Sequence, residues 1–364
     1  MKISSIISFL ESLANPALQE SYDNSGLIIG NASTDCRGIV VALDATEEVI
    51  REAILKKCNL VVTHHPIIFT GLKKINGNNY VEKAVIAAIK NDIAIYAIHT
   101  NLDNVINGVN GKMANMLGLE VVTVLAARKS ALKKLVTFVP VDHAEGVRNA
   151  IFEAGAGAIG NYSECSFNTE GIGTFKGDEG ANPYTGERGS RHHEKEVRVE
   201  TIFPVYLESK IMAALTGAHP YEEVAYDILP LTNTMTGIGS GLTGLLPRPM
   251  DEINLLTRIK EVFNVPVIRH TELTGRPVQK IALCGGAGSF LIPNALAAGV
   301  DFYITADIKY HEFFDANNRM VIVDIGHYES EQFTINLLQE FLEQKFPNFA
   351  VLKTEVDTNP VQYF

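Results

Sequence analysis

The sequence predicts an α/β protein in which two related α/β repeats are interrupted by a ferredoxin-like α+β insert, and three observations carry that prediction. Short apolar runs rich in β-branched residues alternate with helical patterns in the first third of the chain, the same alternation returns in the last third, and the middle breaks the rhythm. At 364 residues the chain is long enough for two or three domains, each with its own core.

The N-terminal stretch MKISSIISFLESLANPALQE has the charge and apolar run of a signal peptide, but Ser5, Ser8, Glu11 and Ser12 interrupt it. The spacing of Ile6, Phe9, Leu10 and Leu13 predicts an amphipathic first helix instead. GIVVAL (38–43), NLVVTHH (59–65) and IAIYAIH (93–99) read as strands of a largely parallel sheet, with helices predicted over 46–57 and 80–91 between them. KIALCGG (280–286), DFYITAD (301–307) and MVIVDIGH (320–327) repeat the plan. The displacement from Ile39 to Ile281 equals that from Thr63 to Thr305, as an internal duplication would produce.

In the middle, KKLVTFVP (133–140) reads as strand, VDHAEGVRNAIFEAG as helix, EVRVETIFPVY (196–206) as strand, LESKIMAALTG (207–217) as helix and VAYDILPL (224–231) as strand, around a Gly-rich region. The resulting order, strand, helix, strand, strand, helix, strand, is ferredoxin-like. The expected organisation is therefore a first metal-binding repeat over 1–126, an insert over 127–237 and a second metal-binding repeat over 238–364.

Hydrophobic residues make up 46% and charged residues 20%, the balance of an ordinary globular protein. The formal net charge of -11 argues against a general nucleic-acid binder, whose phosphate affinity comes from surplus Lys and Arg. No apolar run approaches the ~20 residues needed to span a bilayer, so the expected location is the cytoplasm, with no membrane partner. Cys36, Cys58, Cys165 and Cys284 are far apart, form no C-x-x-C pair, and read as buried free thiols.

His64 and His65 stand at the C-terminal end of a strand, where α/β sheets gather their ligands, and Pro66 stops the strand. Adjacent side chains on extended backbone point to opposite sides, which suits two neighbouring ions better than one. Asp103, in HTNLDN, follows the next strand and is delivered to the same sheet edge; an Asx turn capping a helix is its plainer reading. His327 follows a strand of the second repeat and precedes Glu331 by four residues, a spacing that puts both on one helix face. Three imidazoles and two carboxylates form a ligand set for two divalent ions, Zn, Fe or Mn. Glu331 is expected to bridge them, with His65 and Asp103 on one ion and His64 and His327 on the other. Asp307 and His311 repeat the i, i+4 spacing and are candidates for supporting the ligands or for acid and base roles, with a plain capping Asp and a surface His as the equal alternative. His192 and His193, in RHHEKE, read as a solvated loop, and His219, in AHPYEE, as a turn held by hydrogen bonds. CGGAGS (284–289) follows a strand and precedes a helical run, so a phosphate-holding loop is an alternative to a plain turn there; it matches neither GxxxxGK[ST] nor GxGxxG.

ESYDNSGLIIG (20–30), VVTHHPIIF (61–69), HTNLDN (99–104), TADIKYHEF (305–313) and DIGHYESE (324–331) together resemble the GTP cyclohydrolase 1 type 2 family, the Nif-three-like dinuclear-metal proteins. Tyr22 stands where such relatives usually carry Trp. The family's metal ligands fall on His64, His65, Asp103, His327 and Glu331 without substitution. The resemblance implies a two-repeat Nif-three-like fold and a toroidal homohexamer with metal sites facing an internal cavity. The segments FEAGAGAIGNYSECSF (152–167), GIGTFKG (171–177) and AHPYEEVAYDI (218–228) look like the extra domain of the long-form members, similar to PII-like or CutA-like folds.

The implied activity is that of a metal-dependent hydrolase opening a nucleotide ring with hydroxide held on the metals, GTP being the leading substrate. The alternative is a non-catalytic, ring-shaped regulatory or metal-handling protein whose insert senses a small molecule or docks a partner. DNA binding through the ring's hole is disfavoured by the acidic charge.

Overall fold

Ile3, Ile6 and Leu10 recur at helical spacing and are buried along the first helix, Ile3–Leu13. The computed structural model describes residues 1–129, 131–235 and 237–364. After this helix come four short strands, β1 (Gly26–Ile29), β2 (Ile39–Ala42), β3 (Leu60–Thr63) and β4 (Ala94–Ala97). The helix Glu47–Leu55 lies between β2 and β3, its first turn capped by the Thr46 side chain; the helix Tyr80–Lys90 lies between β3 and β4 and is capped by Asn79. β2, β3 and β4 run parallel, and all their residues are buried, as in strands covered on both faces. β1 pairs antiparallel with β4. β5 (Glu120–Ala127) follows the helix Val109–Leu117.

Residues 127–236 form a compact unit of their own. Its elements are β6 (Leu132–Pro140), the helix Ala144–Glu153, β7 (Phe167–Lys176), β8 (Arg191–Pro204), the helix Glu208–Ala218 and β9 (Tyr226–Leu231). The sheet order is β7-β8-β6-β9, every neighbouring pair antiparallel. Val197 and Val199 of β8 meet Ile151 and Ile211 of the helices, so one sheet face carries the core. RHHEKE is not a loop: it begins β8, with His192 opposite Phe175 and Glu194 opposite Gly173. Pairing with β7 supplies a ladder that the polarity of these residues does not reveal.

The other unit comprises residues 1–126 and 237–364. Its second half contains β10 (Gly239–Met250), β11 (Arg269–His270), β12 (Val278–Ala287), β13 (Phe302–Ala306), β14 (Val321–Asp324) and β15 (Val351–Lys353). One sheet has the order β1-β4-β3-β2-β15, the other β11-β14-β13-β12-β10-β5. The two share a wiring: three parallel strands (β2-β3-β4 and β12-β13-β14) end on an antiparallel edge strand, β1 or β11. After β14 come two helices, His327–Glu331 and Thr334–Lys345. All four cysteines are free, and among the described residues no helix is long and apolar enough to cross a membrane.

Candidate metal centre

β3 ends at Thr63, and the rings of the next two residues, His64 and His65, lie with centroids 5.0 Å apart, tilted 44° to each other. His64 is fully buried; its Nδ1 lies 2.9 Å from the Ile98 carbonyl, which leaves Nε2 facing Asp103 Oδ1 at 3.6 Å and Glu331 Oε1 at 3.7 Å. The His65 Nδ1 is 2.7 Å from Asp44 Oδ1, and its Nε2 is 2.9 Å from Glu331 Oε2. His327 reaches the same carboxylate oxygen at 3.1 Å through Nε2, while Asp307 holds its Nδ1 at 2.7 Å. Asp103 closes the short helix Thr100–Asp103 after β4, and Glu331 closes the helix His327–Glu331 after β14.

The five side chains thus meet in two groups, His64, Asp103 and Glu331 in one, His65, His327 and Glu331 in the other. This corrects the expected partition, which joined His65 to Asp103 and His64 to His327. Extended backbone would oppose positions 64 and 65, but β3 stops at Thr63 and both rings turn toward Glu331; which of them meets His327 depends on how β3 and β14 approach in space. Glu331 does face both groups, one carboxylate oxygen toward each.

The donors fit divalent ions. His64 Nε2 and Asp103 Oδ1 are buried without a hydrogen-bond partner, a costly arrangement unless a cation lies between them. Each imidazole has its Nδ1 tied to a carbonyl or carboxylate, the support that orients metal-binding histidines. Burial disfavours the charged form of His65, yet its bonds to Asp44 and Glu331 outweigh it and raise the pKa to about 10. Burial opposes the charged form of His327 too, but Glu331 and Asp307 lift it to about 11. Burial also works against ionisation of Glu331, and His327 with the other imidazoles holds it well below the usual carboxylate range. The carboxylates therefore make a field that holds positive charge at the Nε2 atoms.

Asp44 escaped sequence reasoning, although it follows β2 at the same sheet edge and could have been found by the strand-end argument used for His64. Thr358 donates to its other oxygen at 2.6 Å. His99 was missed as well: it precedes Asp103 by four residues, as His327 precedes Glu331, and its ring nitrogens group with those of His64 and His65. Asp23 lies 2.8 Å from His99 Nδ1.

Of the two supporting candidates, Asp307 holds His327, whereas His311 is exposed and packs on Tyr310 and Phe314. In CGGAGS two backbone donors are already committed, the Gly285 N–H to Asn110 Oδ1 and the Gly286 N–H to Ser330 Oγ, each at 2.9 Å. Outside this centre, His219 sits in the expected turn, Nε2 on the Phe138 carbonyl and Nδ1 accepting from the Tyr221 N–H.

A cavity of about 400 Å³ opens over the ligands, and the exposed rings of Tyr22, Phe69, Tyr80 and Phe290 stand on its walls. A family model described as Duf34/NIF3 (NGG1p interacting factor 3) matches residues 1–360. The chain is 38% identical over 363 residues to the GTP cyclohydrolase 1 type 2 homolog of Halalkalibacterium halodurans, covering 98% of each protein. It is also 38% identical over 364 residues to that of Bacillus subtilis, covering 98% of this chain and 97% of the relative. A solved structure of a Bacillus cereus protein related to NIF3 superposes with a TM-score of 0.86 at 40% identity, over 100% of this chain and 99% of that one.

Proposed function

The chain belongs to the Duf34/NIF3 family, and from the site it carries we propose a protein that binds two divalent metal ions and acts as a metal-dependent hydrolase on a nucleotide-like substrate. One observation carries the reading: the two oxygens of buried Glu331 face different histidines, His64 on one side and His65 with His327 on the other. His64 and Asp103 would hold one ion, His65 and His327 the other, and Glu331 both. Ions so placed would supply Lewis acidity and lower the pKa of a water for hydrolysis near neutral pH. Zn, Fe and Mn all suit these ligands.

The chain's own groups have definite parts in this reading. Asp44 and Asp307 fix the tautomers of His65 and His327 and keep their Nε2 atoms turned inward. His99, with Nδ1 against Asp23, is left with Nε2 to take up or give a proton at the cavity. The rings of Tyr22, Phe69, Tyr80 and Phe290 suit a planar substrate that stacks. The names of the H. halodurans and B. subtilis relatives make GTP the first substrate to try. Incubation with GTP and Zn, Fe or Mn is expected to release formate; release no greater than from a His64→Ala variant would remove GTP ring opening.

The same proposal takes the two α/β segments as a duplication, supported by their shared wiring, and residues 127–236 as a ferredoxin-like insert, supported by element order. It also takes the assembly as a ring-shaped homohexamer, which sedimentation equilibrium checks.

A further inference from the structure

The unit formed by residues 127–236 contains a second cavity, of about 610 Å³, to which the hydrolase reading gives no part. It lies on the sheet face opposite the core. Side chains alternate along β8, so that Val197, Val199 and Phe203 enter the core while Glu196, Arg198 and Glu200 share the other face. Charged residues on such a face normally meet water, yet Glu196 is only 8% exposed. The loop over residues 177–190 contributes Pro183 and Tyr184 to the cavity wall, and the segment after the helix Glu208–Ala218 contributes Tyr221.

One oxygen of Glu196 is held by a neighbour and the carboxylate lines the cavity. The Tyr221 hydroxyl donates to its Oε1 at 2.8 Å, and burial together with this carboxylate raises the Tyr221 pKa, so the phenol stays a donor. Oε2 occupies the space that a side chain at Gly173 would take: a Cβ there would stand 2.0 Å from it. Among the described residues no Lys, Arg or His makes an ion pair with Glu196, since Arg198 is paired with Glu200 at 2.8 Å. His219 has both ring nitrogens in hydrogen bonds, and burial lowers its pKa, so it is neutral. A carboxylate on the wall of a cavity lined by apolar rings favours a cationic occupant over a neutral or anionic one. Around it stand the rings of Phe175, Tyr184 and Tyr221, whose centroids are 5.9 Å (Phe175–Tyr221) and 6.3 Å (Tyr184–Tyr221) apart. Aromatic faces attract cations and accept planar apolar groups. The carboxylates of Glu170, Glu196, Glu222 and Glu223 outweigh Lys176 and Arg198 on the walls, which acts against an anion.

We propose that this cavity binds a small organic cation, an amine whose charged head meets Glu196 and whose flat apolar body lies among Phe175, Tyr184 and Tyr221. The volume suits a ligand of metabolite size. The site is independent of the metal centre, so success or failure here leaves the hydrolase reading where it stands.

Calorimetric titration of the full chain at pH 7 with benzylamine, which is protonated there, and with the neutral isostere benzyl alcohol tests the proposal. Benzylamine is expected to bind at least tenfold more tightly than the alcohol, and Glu196→Gln to abolish that difference. Because Glu196 lies only in this cavity, the variant separates the site from amine binding elsewhere. Equal affinities for the two probes, or benzylamine binding untouched by Glu196→Gln, would overturn it. Should Glu196→Gln not fold, by circular dichroism, Tyr184→Ala serves instead, its ring being 57% exposed. A fivefold or greater loss of benzylamine affinity then supports the site, and no loss refutes it.

Discussion

Gly286 and Glu331 approach so closely that position 286 admits no side chain: a Cβ there would stand 2.3 Å from Glu331 Oε1. Glu331 cannot swing aside, because its carboxylate faces three imidazoles. Gly286 also has φ of +63°, a conformation that L side chains rarely adopt. Gly286→Ala is therefore expected to destabilise the chain by about 1–2 kcal/mol from backbone strain alone, and to lower metal content by displacing Glu331. Chemical denaturation and metal analysis of one preparation check both; a variant with full metal content would show that Glu331 has room to move.

The two ligand groups predict which substitutions act alike. His64→Ala and Asp103→Asn should deplete one ion, His65→Ala and His327→Ala the other, and Glu331→Gln should reduce both, since Gln keeps the size but removes the charge between them. Anomalous scattering at the metal edge reads each position separately. Depletion of one position by both Asp103→Asn and His65→Ala would restore the partition expected from sequence.

Asp44 acts on the centre through His65, and Thr358 through Asp44. Removal of such supporting groups commonly costs about 10- to 100-fold in metal affinity. Asp44→Asn should fall in that range and Thr358→Val below it, measured by competition with a chelator. Unchanged affinity in Asp44→Asn would mean that packing alone orients His65.

Acid should undo the Asp23 network. Burial works against the charged form of Asp23, but hydrogen bonds from His99 and Thr100 and from the Asn24 backbone outweigh it and hold the carboxyl well below its usual range. With the folded pKa below the unfolded one, near 4, the stabilisation is fully present above that value and is lost as pH falls through the folded pKa. Asp23→Ala should therefore be less stable than the parent at pH 7, and the gap should narrow steadily below pH 4. A gap of constant size down to pH 2 would show that Asp23 acts through packing rather than charge.

Much of the site was legible because it depends on short-range regularities. Buried β-branched runs such as NLVVTHH announce parallel strands, and strand ends in an α/β sheet converge on one edge, so His64, His65 and Asp103 could be named together. The i, i+4 spacing of His327 and Glu331 defines a helix face without reference to anything distant. At Asp307 and His311 the spacing left support of the ligands and a surface His equally open; the chain after β13 turns at Asp307 with φ of +58° into a 3-10 helix and leaves only Asp307 at the site.

What the sequence by itself determined, then, is the kind of residue delivered to each strand end; the opposition of His64 and His65 expected from a two-residue period does not hold, because the strand stops at Thr63 and both rings turn toward Glu331. Only the tertiary structure decided that His65 joins His327 and that His64 joins Asp103, that Asp44 and Thr358 stand behind His65, and that Gly286 of CGGAGS makes room for Glu331. Each of these is a meeting of side chains from segments far apart in the chain. No local period encodes such a meeting, because it is set by the order and approach of whole strands once their apolar faces are buried.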